Sequence, residues 1–436
     1  MVQWCAPALE NLMGLARDHG DVVALPQFGV PFYLFNHPEQ IEEILRSKPD
    51  RFKKASLLAA LRPLLGDGLF TSEGEVWRQH RIAAQPLFCT KKIQHYTSKV
   101  VDSANRLVDR WQHGETRDFH ADMMRLALEI VMRTLFDADA TDVVPLGEEL
   151  QAATNYYTDP RTVWSSNGEC TSSSDVPAGH DATRLNAIIS TMIEKRRSSG
   201  VAKRGDLLSR LLTMRGPNGS PLSDAELRDQ MVTYFIGGQE TTALSLSYTF
   251  ALLSEHPEAE TALSAELDRV LGGRLPTHAD VAQLPVADAV IKESLRLFPP
   301  VWATGREALD DCEIGGHQVP RGAQLLMSQF IVHRDPRFWC DPERFDPSRW
   351  TVAATKNRPR CAYFPFGDGP RICIGAQLAT LEAVLLVATI AQRYRLEMVE
   401  KQPLCLVPAL TLRPREGLRM RVQLRTSAVA RRTSRV

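Results

Sequence analysis

The sequence lacks several features that would assign it to a common class of protein. Its 436 residues include 52 Lys and Arg against 52 Asp and Glu, so the formal net charge is zero. Nucleic acids and acidic polymers select basic surfaces, so no partner of that kind is predicted. The chain is also too apolar for a disordered protein, with 44% hydrophobic residues, and can bury a large core.

Cysteine pairs and long apolar runs are missing as well. None of the eight cysteines forms a CxxC pair and no secretory signal precedes them. A disulfide framework is therefore not expected, and a reducing, cytoplasmic location is predicted. The longest strongly apolar run covers residues 383–391, whereas a spanning helix needs roughly 20 apolar residues. We therefore expect no transmembrane anchor.

Helical periodicity dominates the sequence that remains. Apolar residues recur at three- and four-residue spacing through most of residues 73–215, and short strand-like runs lie towards both ends. Strands and helices do not alternate, so we predict a mainly α fold of the α+β class with a small antiparallel β part. Residues 1–424 are expected to form one domain, 425–436 a basic disordered tail and 165–180 a mobile surface loop.

One helix is predicted to be unusually long. Ser223 and Glu226 have the spacing of a capping box, and the next proline is Pro257. The interval 224–256 would form a helix of roughly 50 Å, at 1.5 Å per residue. Such a helix would cross the whole domain.

The middle of this helix contains FIGGQETT, in which Gly237 and Gly238 each cost about 1 kcal/mol relative to alanine. Two interpretations remain open. The glycines either permit close packing against another helix or expose backbone on which a flat ligand lies. In the second case Glu240 and Thr241, an acid and an alcohol, would lie beside the ligand and could pass protons.

A second unusual stretch is FGDGPRICIG, residues 366–375, immediately before a strong apolar helix. A cysteine that only fills the core needs neither three glycines nor an arginine beside it. The helix N-terminus and Arg371 would stabilise a thiolate at Cys373. A nucleophilic cysteine remains an alternative, although no partner histidine is indicated. An iron ligand fits the pattern best.

These residues resemble the cytochrome P450 family. Its heme-binding signature, F-x-x-G-x-R-x-C-x-G, matches at Phe366, Gly369, Arg371, Cys373 and Gly375, and GGQET (237–241) is similar to its oxygen-activation stretch. The resemblance extends from about residue 20 to 424. It implies the cytochrome P450 fold, with a large helical part around a long central helix, and the cofactor heme b (iron protoporphyrin IX), with Cys373 as the metal ligand.

The resemblance also assigns roles to individual residues. Glu240 and Thr241 would be the catalytic acid and alcohol. The remaining heme-binding residues would be Trp77, Arg81, Arg306, Phe366, Arg371, Gly237 and Gly238, with Trp77, Arg81 and Arg306 at the propionates. Glu293 and Arg296 in ESLR, together with Arg344 in PERF, would form a structural salt-bridge cluster.

The implied activity is that of a heme-thiolate monooxygenase. It would insert one oxygen atom from O2 into an apolar small molecule, by hydroxylation or epoxidation of a lipid, terpenoid or polyketide. The expected pocket-lining residues are 56–70, Tyr234, Phe235, 301–304 and 407–412, where Trp302 would narrow the cavity. Two alternatives stay open: a peroxygenase or hydroperoxide isomerase or dehydratase of the same fold, and a non-catalytic heme sensor or binding protein.

Electrons would have to come from another protein, because the chain contains no flavin or iron–sulfur motif. A ferredoxin or flavodoxin with its reductase is expected, docked on a basic patch formed by Arg78, Lys91, Lys92, Arg358 and Arg360. A monomer is expected. The chain departs from the family in having neither a proline-rich start nor an anchor, which implies either a soluble type or an incomplete chain.

Overall fold

The computed structural model describes residues 4–25, 30–138, 143–158, 183–199, 205–216, 219–400 and 403–425. The predicted loop at 165–180 lies outside these ranges, as does the predicted tail beyond residue 425. The assignment of residues 1–424 to one domain stays a prediction. Among the described residues, no helix combines the length and apolar character needed to cross a membrane.

Helices make up most of the described chain. They are α1 Pro7–His19, α2 Pro38–Glu42, α3 Arg62–Leu65, α4 Gly74–Ala84, α5 Thr90–Val108, α6 Phe119–Leu135, α7 Val143–Thr158, α8 Thr183–Ser198, α9 Leu207–Thr213, α10 Asp224–Glu255, α11 Pro257–Leu271, α12 Pro285–Leu297, α13 Gln329–Val332, α14 Val352–Thr355 and α15 Ala376–Ala391. The mainly α prediction is confirmed.

The strands are short. They are β1 Trp4–Cys5, β2 Val22–Ala24, β3 Phe32–Phe35, β4 Phe52–Lys54, β5 Thr116–Asp118, β6 Thr304–Ala308, β7 Cys312–Ile314, β8 His317–Val319, β9 Gln324–Met327, β10 Tyr394–Met398, β11 Leu404–Pro408, β12 Leu412–Pro414 and β13 Arg419–Leu424. They form a five-stranded sheet in the order β2-β3-β9-β6-β4, the three-stranded sheets β10-β13-β5 and β1-β11-β12, and the hairpin β7-β8.

Most strand pairings are antiparallel, as predicted, but two are parallel. Strand β3 runs parallel to β9, and β1 runs parallel to β11 with Cys5 directly opposite Cys405. Both pairings join the N-terminal region to the C-terminal half of the chain. Local sequence signals do not report such long-range pairings, because the loop that connects the two strands is most of the protein.

The long helix α10 forms as the sequence predicts. Ser223 accepts from the amide of Glu226, whose carboxylate accepts from the amide of Ser223, so the capping box is complete. The helix ends at Glu255, and Pro257 starts α11. Every residue from 242 to 253 is buried, because the C-terminal half of the helix runs through the core.

Helix α15 begins directly after the Cys373 loop and also crosses the core. Every residue from 381 to 391 in it is buried, and a helix that is apolar all round is stable only when protein surrounds it. The main hydrophobic cluster includes residues of α5, α6, α10, α12 and α15. The loop that carries Cys373 is therefore attached to the most deeply buried part of the molecule.

Candidate active site at the Cys373 loop

Tight turns hold Cys373 at the end of the loop that precedes α15. Gly367 and Gly369 both have positive φ, 73° and 72°. A Cβ on Gly369 would lie 1.9 Å from the carbonyl oxygen of Leu45, so only glycine fits there. The amide of Cys373 donates to the carbonyl of Phe366 at 2.9 Å, which closes the loop and fixes the position of the sulfur.

The Cys373 sulfur is surrounded by groups that favour its anion, yet the net effect of the protein is the opposite. Burial raises the pKa of the thiol, while the amides of Gly375 and Ala376 and the Arg81 guanidinium oppose that rise. The two amides act in the direction predicted for the helix N-terminus, and the stabilised thiolate at Cys373 stays a prediction. The side chain stays open to solvent although protein packs around it, and metal coordination deprotonates a thiol outright.

Three elements converge on the loop. Nη1 of Arg81 in α4 donates to the carbonyl of Ile372 at 2.8 Å. The ring of Phe88 stacks on Tyr234 of α10 with centroids 6.2 Å apart, and its Cε1 lies 3.9 Å from where a Cβ on Gly375 would stand. Helix α4 and the long helix are thus joined to the cysteine loop. The predicted role of Arg81 at a propionate stays a prediction.

Four charged side chains meet next to this loop. Nη1 of Arg371 lies 2.5 Å from Oε1 of Glu73, and the backbone amide of Lys54 donates to the same oxygen at 2.8 Å. Arg306 is only 8% exposed. Besides burial, the charge of Arg371 lowers its pKa, and the charge of Glu73 raises it. Burial lowers the pKa of Lys54 to about 7 and that of Arg306 to about 10. Glu73 balances only one of the three cations in this cationic cluster.

The residues present fit heme b. Glu73 alone cannot balance Lys54, Arg306 and Arg371. The two carboxylates of heme b would supply the missing negative charge through charge-assisted hydrogen bonds. Cys373 offers the single sulfur that a heme-thiolate site requires. The guanidinium carbon of Arg371 lies 5.2 Å from the ring centroid of Trp77, so one further predicted heme-binding residue lies beside this cluster. Phe366 packs, partly buried, against the core.

The two glycines of the long helix have different surroundings, and each of the two interpretations describes one of them. A Cβ on Gly238 would lie 2.6 Å from Cγ2 of Val131 in α6, so Gly238 permits close helix packing. A Cβ on Gly237 would meet no atom within 4 Å. Thr241 lies one turn further along the same face and is partly exposed. Gly237 and Thr241 therefore border open space on which a flat ligand can lie.

The alcohol and the acid point in different directions. Oγ1 of Thr241 donates to the carbonyl of Gly237 at 2.7 Å, whereas Glu240 is 5% exposed and forms an ion pair with Arg413 of β12. Successive residues are about 100° apart around a helix. The hydroxyl thus lies at the open face, while the carboxylate is held in the interior by a strand from the C-terminal region.

The predicted salt-bridge cluster is closed on itself. Arg296 donates five hydrogen bonds, two of them to Glu293 at 2.8 and 2.9 Å and three to carbonyls of His333, Pro342 and Arg344. Glu293 and Arg296 are both 0% exposed. All five N–H groups of the guanidinium are therefore satisfied inside the protein, as a buried charge requires.

One member of that cluster was predicted wrongly. The side chain of Arg344 is exposed, and the residue contributes only its carbonyl, to Arg296. The second guanidinium at Glu293 belongs to Arg349, whose Nε lies 3.2 Å from Oε1, and Trp350 Nε1 donates to Oε2 at 3.0 Å. The turn of 3-10 helix at Pro347–Trp350 packs on α12 and brings these side chains to the carboxylate.

The predicted basic patch is largely engaged in other contacts. Arg78 pairs with Glu75 at 2.7 Å, and Arg360 pairs with Asp368 at 2.5 Å. The guanidinium of Arg358 stacks on Trp339, 4.0 Å from the ring centroid. Lys91 stays exposed. The five side chains do not form the uniform basic surface that the sequence predicted.

Sequence reasoning missed two residues of the site. They are Lys54, whose Nζ donates to the carbonyls of Leu69 and Ser72, and Arg413, which pairs with Glu240. No sequence motif links either of these residues to the group that it contacts. Each partner is more than ten residues away along the chain, so no local pattern could have found them.

Known proteins share both the sequence and the fold of this chain. It matches the Cytochrome P450 family over residues 3–420. It is 39% identical over 407 residues to cyclooctat-9-en-7-ol 5-monooxygenase of Streptomyces melanosporofaciens, covering 92% of this chain and 87% of that protein. Cyclooctatin synthase of the same species is 33% identical over 407 residues, covering 91% and 86%.

A solved structure extends the match to three dimensions. The crystal structure of the cytochrome P450DA heme domain aligns with a TM-score of 0.85 at 29% identity, covering 97% of this chain and 94% of that one. The chain belongs to the cytochrome P450 family and is a heme-thiolate monooxygenase with heme b as its cofactor.

Proposed function

We propose that the protein inserts one oxygen atom from O2 into an apolar terpenoid, by hydroxylation or epoxidation, and that it does so as a cytoplasmic monomer. The observation that carries the reaction type is the open face of α10, where Gly237 leaves space beside the Thr241 hydroxyl. The printed names of two relatives support the substrate class, since one is a monooxygenase of an alkenol and the other is cyclooctatin synthase.

The cysteine side of the site would hold the cofactor. Cys373 would bind the iron, Arg81 would keep the loop in place through the Ile372 carbonyl, and Lys54, Arg306 and Arg371 would bind the carboxylates. Heme bound in this way supplies the activation of O2 and the transfer of one oxygen atom to the substrate. The protein contributes position, charge and the exclusion of water.

The opposite side would control protons. In the structure the Thr241 hydroxyl donates a hydrogen bond to the Gly237 carbonyl. Rotation about χ1 would turn the hydroxyl towards the open face. Glu240 would resupply the hydroxyl only after its carboxylate leaves Arg413, takes up a proton and turns from the interior towards the open face. Both roles are proposals that rest on these two contacts.

Apolar and aromatic groups support a hydrophobic substrate. Leu57 and Phe70 in the predicted lining segment are 42% and 40% exposed. Trp302 Nε1 donates to the carbonyl of Ala409 at 2.8 Å, which fixes the indole against the second lining segment. Phe235 is an exception: it is fully buried, 4.5 Å from the ring of Phe136, and belongs to the core.

A separate ferredoxin or flavodoxin with its reductase would supply the electrons. Most of the predicted basic patch is paired, so we propose that docking uses the exposed Lys91 and the half-buried Lys92, which lie at the start of α5. Reversing both charges to glutamate should slow reduction by the donor and weaken its dependence on salt. Equal reduction rates in the variant and the parent would exclude this surface.

The decisive experiment begins with the cofactor. Protein expressed with a heme precursor and then reduced under carbon monoxide should show the absorption band of thiolate ligation, and Cys373→Ala should lose it together with all turnover. The loaded protein is then given a library of terpenoids, lipids and polyketides with a surrogate ferredoxin system. A terpenoid product heavier by one oxygen atom supports the proposal, whereas turnover with peroxide alone would favour the peroxygenase alternative.

Replacing Thr241 by alanine tests the proton route. Product formation per O2 consumed should fall by roughly 100-fold, the lower end of what a positioned proton donor contributes, with peroxide released in place of product. Thr249→Ala is the matched control, because Thr249 makes the same hydroxyl-to-carbonyl bond, to Ser245 at 2.7 Å, in a buried part of the same helix. Equal coupling in the two variants would contradict the role of Thr241.

A further inference from the structure

We propose that Cys5 and Cys405 form a reversible disulfide when peroxide accumulates, and that this bond fastens the N-terminal strand to a hairpin on the substrate side of the site. The two residues are 400 positions apart in sequence. Neither residue belongs to the catalytic or heme-binding residues described above.

The position of the pair follows from strand register. Strand β1 runs parallel to β11, and Cys5 is the direct partner of Cys405. Neighbouring strands lie about 4.8 Å apart, within the separation of Cα atoms that a disulfide bridges, about 4.4–6.8 Å. The two sulfurs are 2.6 Å apart. A bond can therefore form without movement of either strand.

Both strands are held in place by other contacts. The ring of Trp4 packs edge-on against Phe330 with centroids 5.1 Å apart, and the amide of Arg415 donates to the carbonyl of Cys405 at 2.8 Å. Both cysteines are partly accessible to solvent. The register is thus fixed on each side of the sulfurs, and a small oxidant can reach them.

The other cysteines among the described residues lack this arrangement. Cys89, Cys340 and Cys373 are exposed, and Cys373 would be bound to the iron; Cys312 and Cys361 are buried, and burial raises the pKa of the Cys361 thiol to about 12. What sets the β1–β11 pair apart is the partner thiol in register, which traps an oxidised sulfur as an intramolecular disulfide. Peroxide is also the by-product of a monooxygenase turnover in which O2 is reduced without product, so the oxidant arises where the enzyme works.

The chemistry balances with hydrogen peroxide as the oxidant. One thiol is first oxidised to a sulfenic acid with release of one water. The second thiol then displaces the hydroxyl of the sulfenic acid, which forms the S–S bond and releases a second water. The hydrogen bond with Cys405 is the largest cause of the raised pKa of Cys5. Either thiol can be oxidised first, because both are partly accessible to solvent and each lies within reach of the other.

The bond would act on the site through the β11–β12 hairpin. In the turn between the two strands, the carbonyl of Ala409 accepts a hydrogen bond from the Trp302 indole. In β12, the carbonyl of Leu412 accepts from the Tyr248 hydroxyl at 2.6 Å, and Arg413 pairs with Glu240. A crosslink at Cys405 restricts the start of this hairpin. Oxidised protein should consequently show slower amide exchange across residues 404–414.

The experiment titrates heme-loaded protein with stoichiometric hydrogen peroxide and quenches it with catalase and an alkylating reagent. Non-reducing peptide mapping should recover one linked peptide that contains Cys5 and Cys405, with two fewer alkylated thiols, and dithiothreitol should reverse both changes. The thermal midpoint of the oxidised protein should rise by several degrees, because the bond closes a long loop in the unfolded chain. Cys5→Ser should show neither effect, and Cys340→Ser should show both.

Three results would overturn the proposal. Cys5 and Cys405 could remain fully alkylated while Cys89 or Cys340 is oxidised. The linked peptides could come from two molecules, recognised by a covalent dimer on a non-reducing gel. The crosslink could also form in the parent with no change in exchange over 404–414, which would remove the coupling to the hairpin.

Discussion

Two buried charge clusters of this protein have opposite designs. In the closed cluster, Arg296 and Glu293 are fully buried and every N–H of the guanidinium has a partner within the chain. In the cationic cluster beside the Cys373 loop, Lys54, Arg306 and Arg371 surround a single carboxylate, Glu73. The first is complete without a ligand, whereas the second leaves positive charge for an anionic guest.

The difference shows how to separate structure from function among buried charges. Burial of an ion costs free energy unless partners compensate it. A cluster that is fully compensated by the chain serves the fold, since a ligand can add nothing to it. In the cationic cluster, burial lowers the pKa values of Lys54 and Arg306, and neighbouring positive charges lower them further because like charges repel. Binding of carboxylates would remove that repulsion. Mutations in the two clusters should therefore have different signatures.

The largest effect is expected in the closed cluster. Arg296→Ala leaves the carboxylate of Glu293 buried with fewer partners, which should lower the free energy of unfolding by about 3–5 kcal/mol. Denaturant unfolding of the heme-free and heme-loaded protein measures the loss, which should be similar in both. A loss restricted to the heme-loaded form would place Arg296 in the cofactor site and break the comparison.

Arg306→Met should have opposite effects on the two forms. Removal of an uncompensated buried cation should leave the heme-free chain as stable as the parent or more so. The heme-loaded chain loses a charge-assisted bond of about 1.5–3 kcal/mol, so heme should be lost roughly 10- to 150-fold faster. Transfer of heme to an excess of acceptor protein measures the rate. Arg349→Met, in the closed cluster, is the control and should leave the rate of heme loss unchanged.

A smaller effect distinguishes Arg349 from Arg344. Arg349→Ala removes a guanidinium that bonds a fully buried carboxylate and should cost about 1–3 kcal/mol. Arg344→Ala removes an exposed side chain and should stay within about 0.5 kcal/mol of the parent. Equal losses in the two variants would restore the original sequence-based assignment.

The last effect, small when taken per pH unit, is a pH dependence in the heme-free protein. The folded pKa of Lys54 is about 7, below its ordinary 10.5, so between these values the folded chain binds fewer protons than the unfolded chain. The free energy of unfolding should therefore rise with pH across this window, by at most about 1.4 kcal/mol per pH unit, and fall as pH drops towards 7. Lys54→Met should remove the slope.

Heme binding should flatten the same slope in the parent protein. Carboxylates beside Lys54 favour its charged form and return its pKa towards the ordinary value. Unfolding measured at several pH values with and without heme tests this. An identical slope in the two forms would show that Lys54 is not near the carboxylates.

The sequence was most informative where chemistry depends on neighbours along the chain. The loop of Gly367, Gly369 and Cys373 and the capping box of the long helix are local patterns, and both appear in the structure as predicted. The assignment of Arg344 failed because the guanidinium that reaches Glu293 depends on how the turn at Pro347–Trp350 packs on α12. The predicted basic patch was wrong for the same reason, since packing pairs most of its side chains with other groups of the chain.

The sequence by itself determined the kind of site this protein contains: a sulfur fixed by glycine turns ahead of a buried helix, with an acid and an alcohol in the middle of another. These are properties of short segments, in which steric and hydrogen-bonding demands act between residues a few positions apart. Only the tertiary structure decided which glycine faces open space, that Arg413 holds Glu240, that Lys54 joins the cationic cluster and that Cys5 meets Cys405. Those contacts join residues far apart in the chain, and only the packing of the whole molecule brings them within reach.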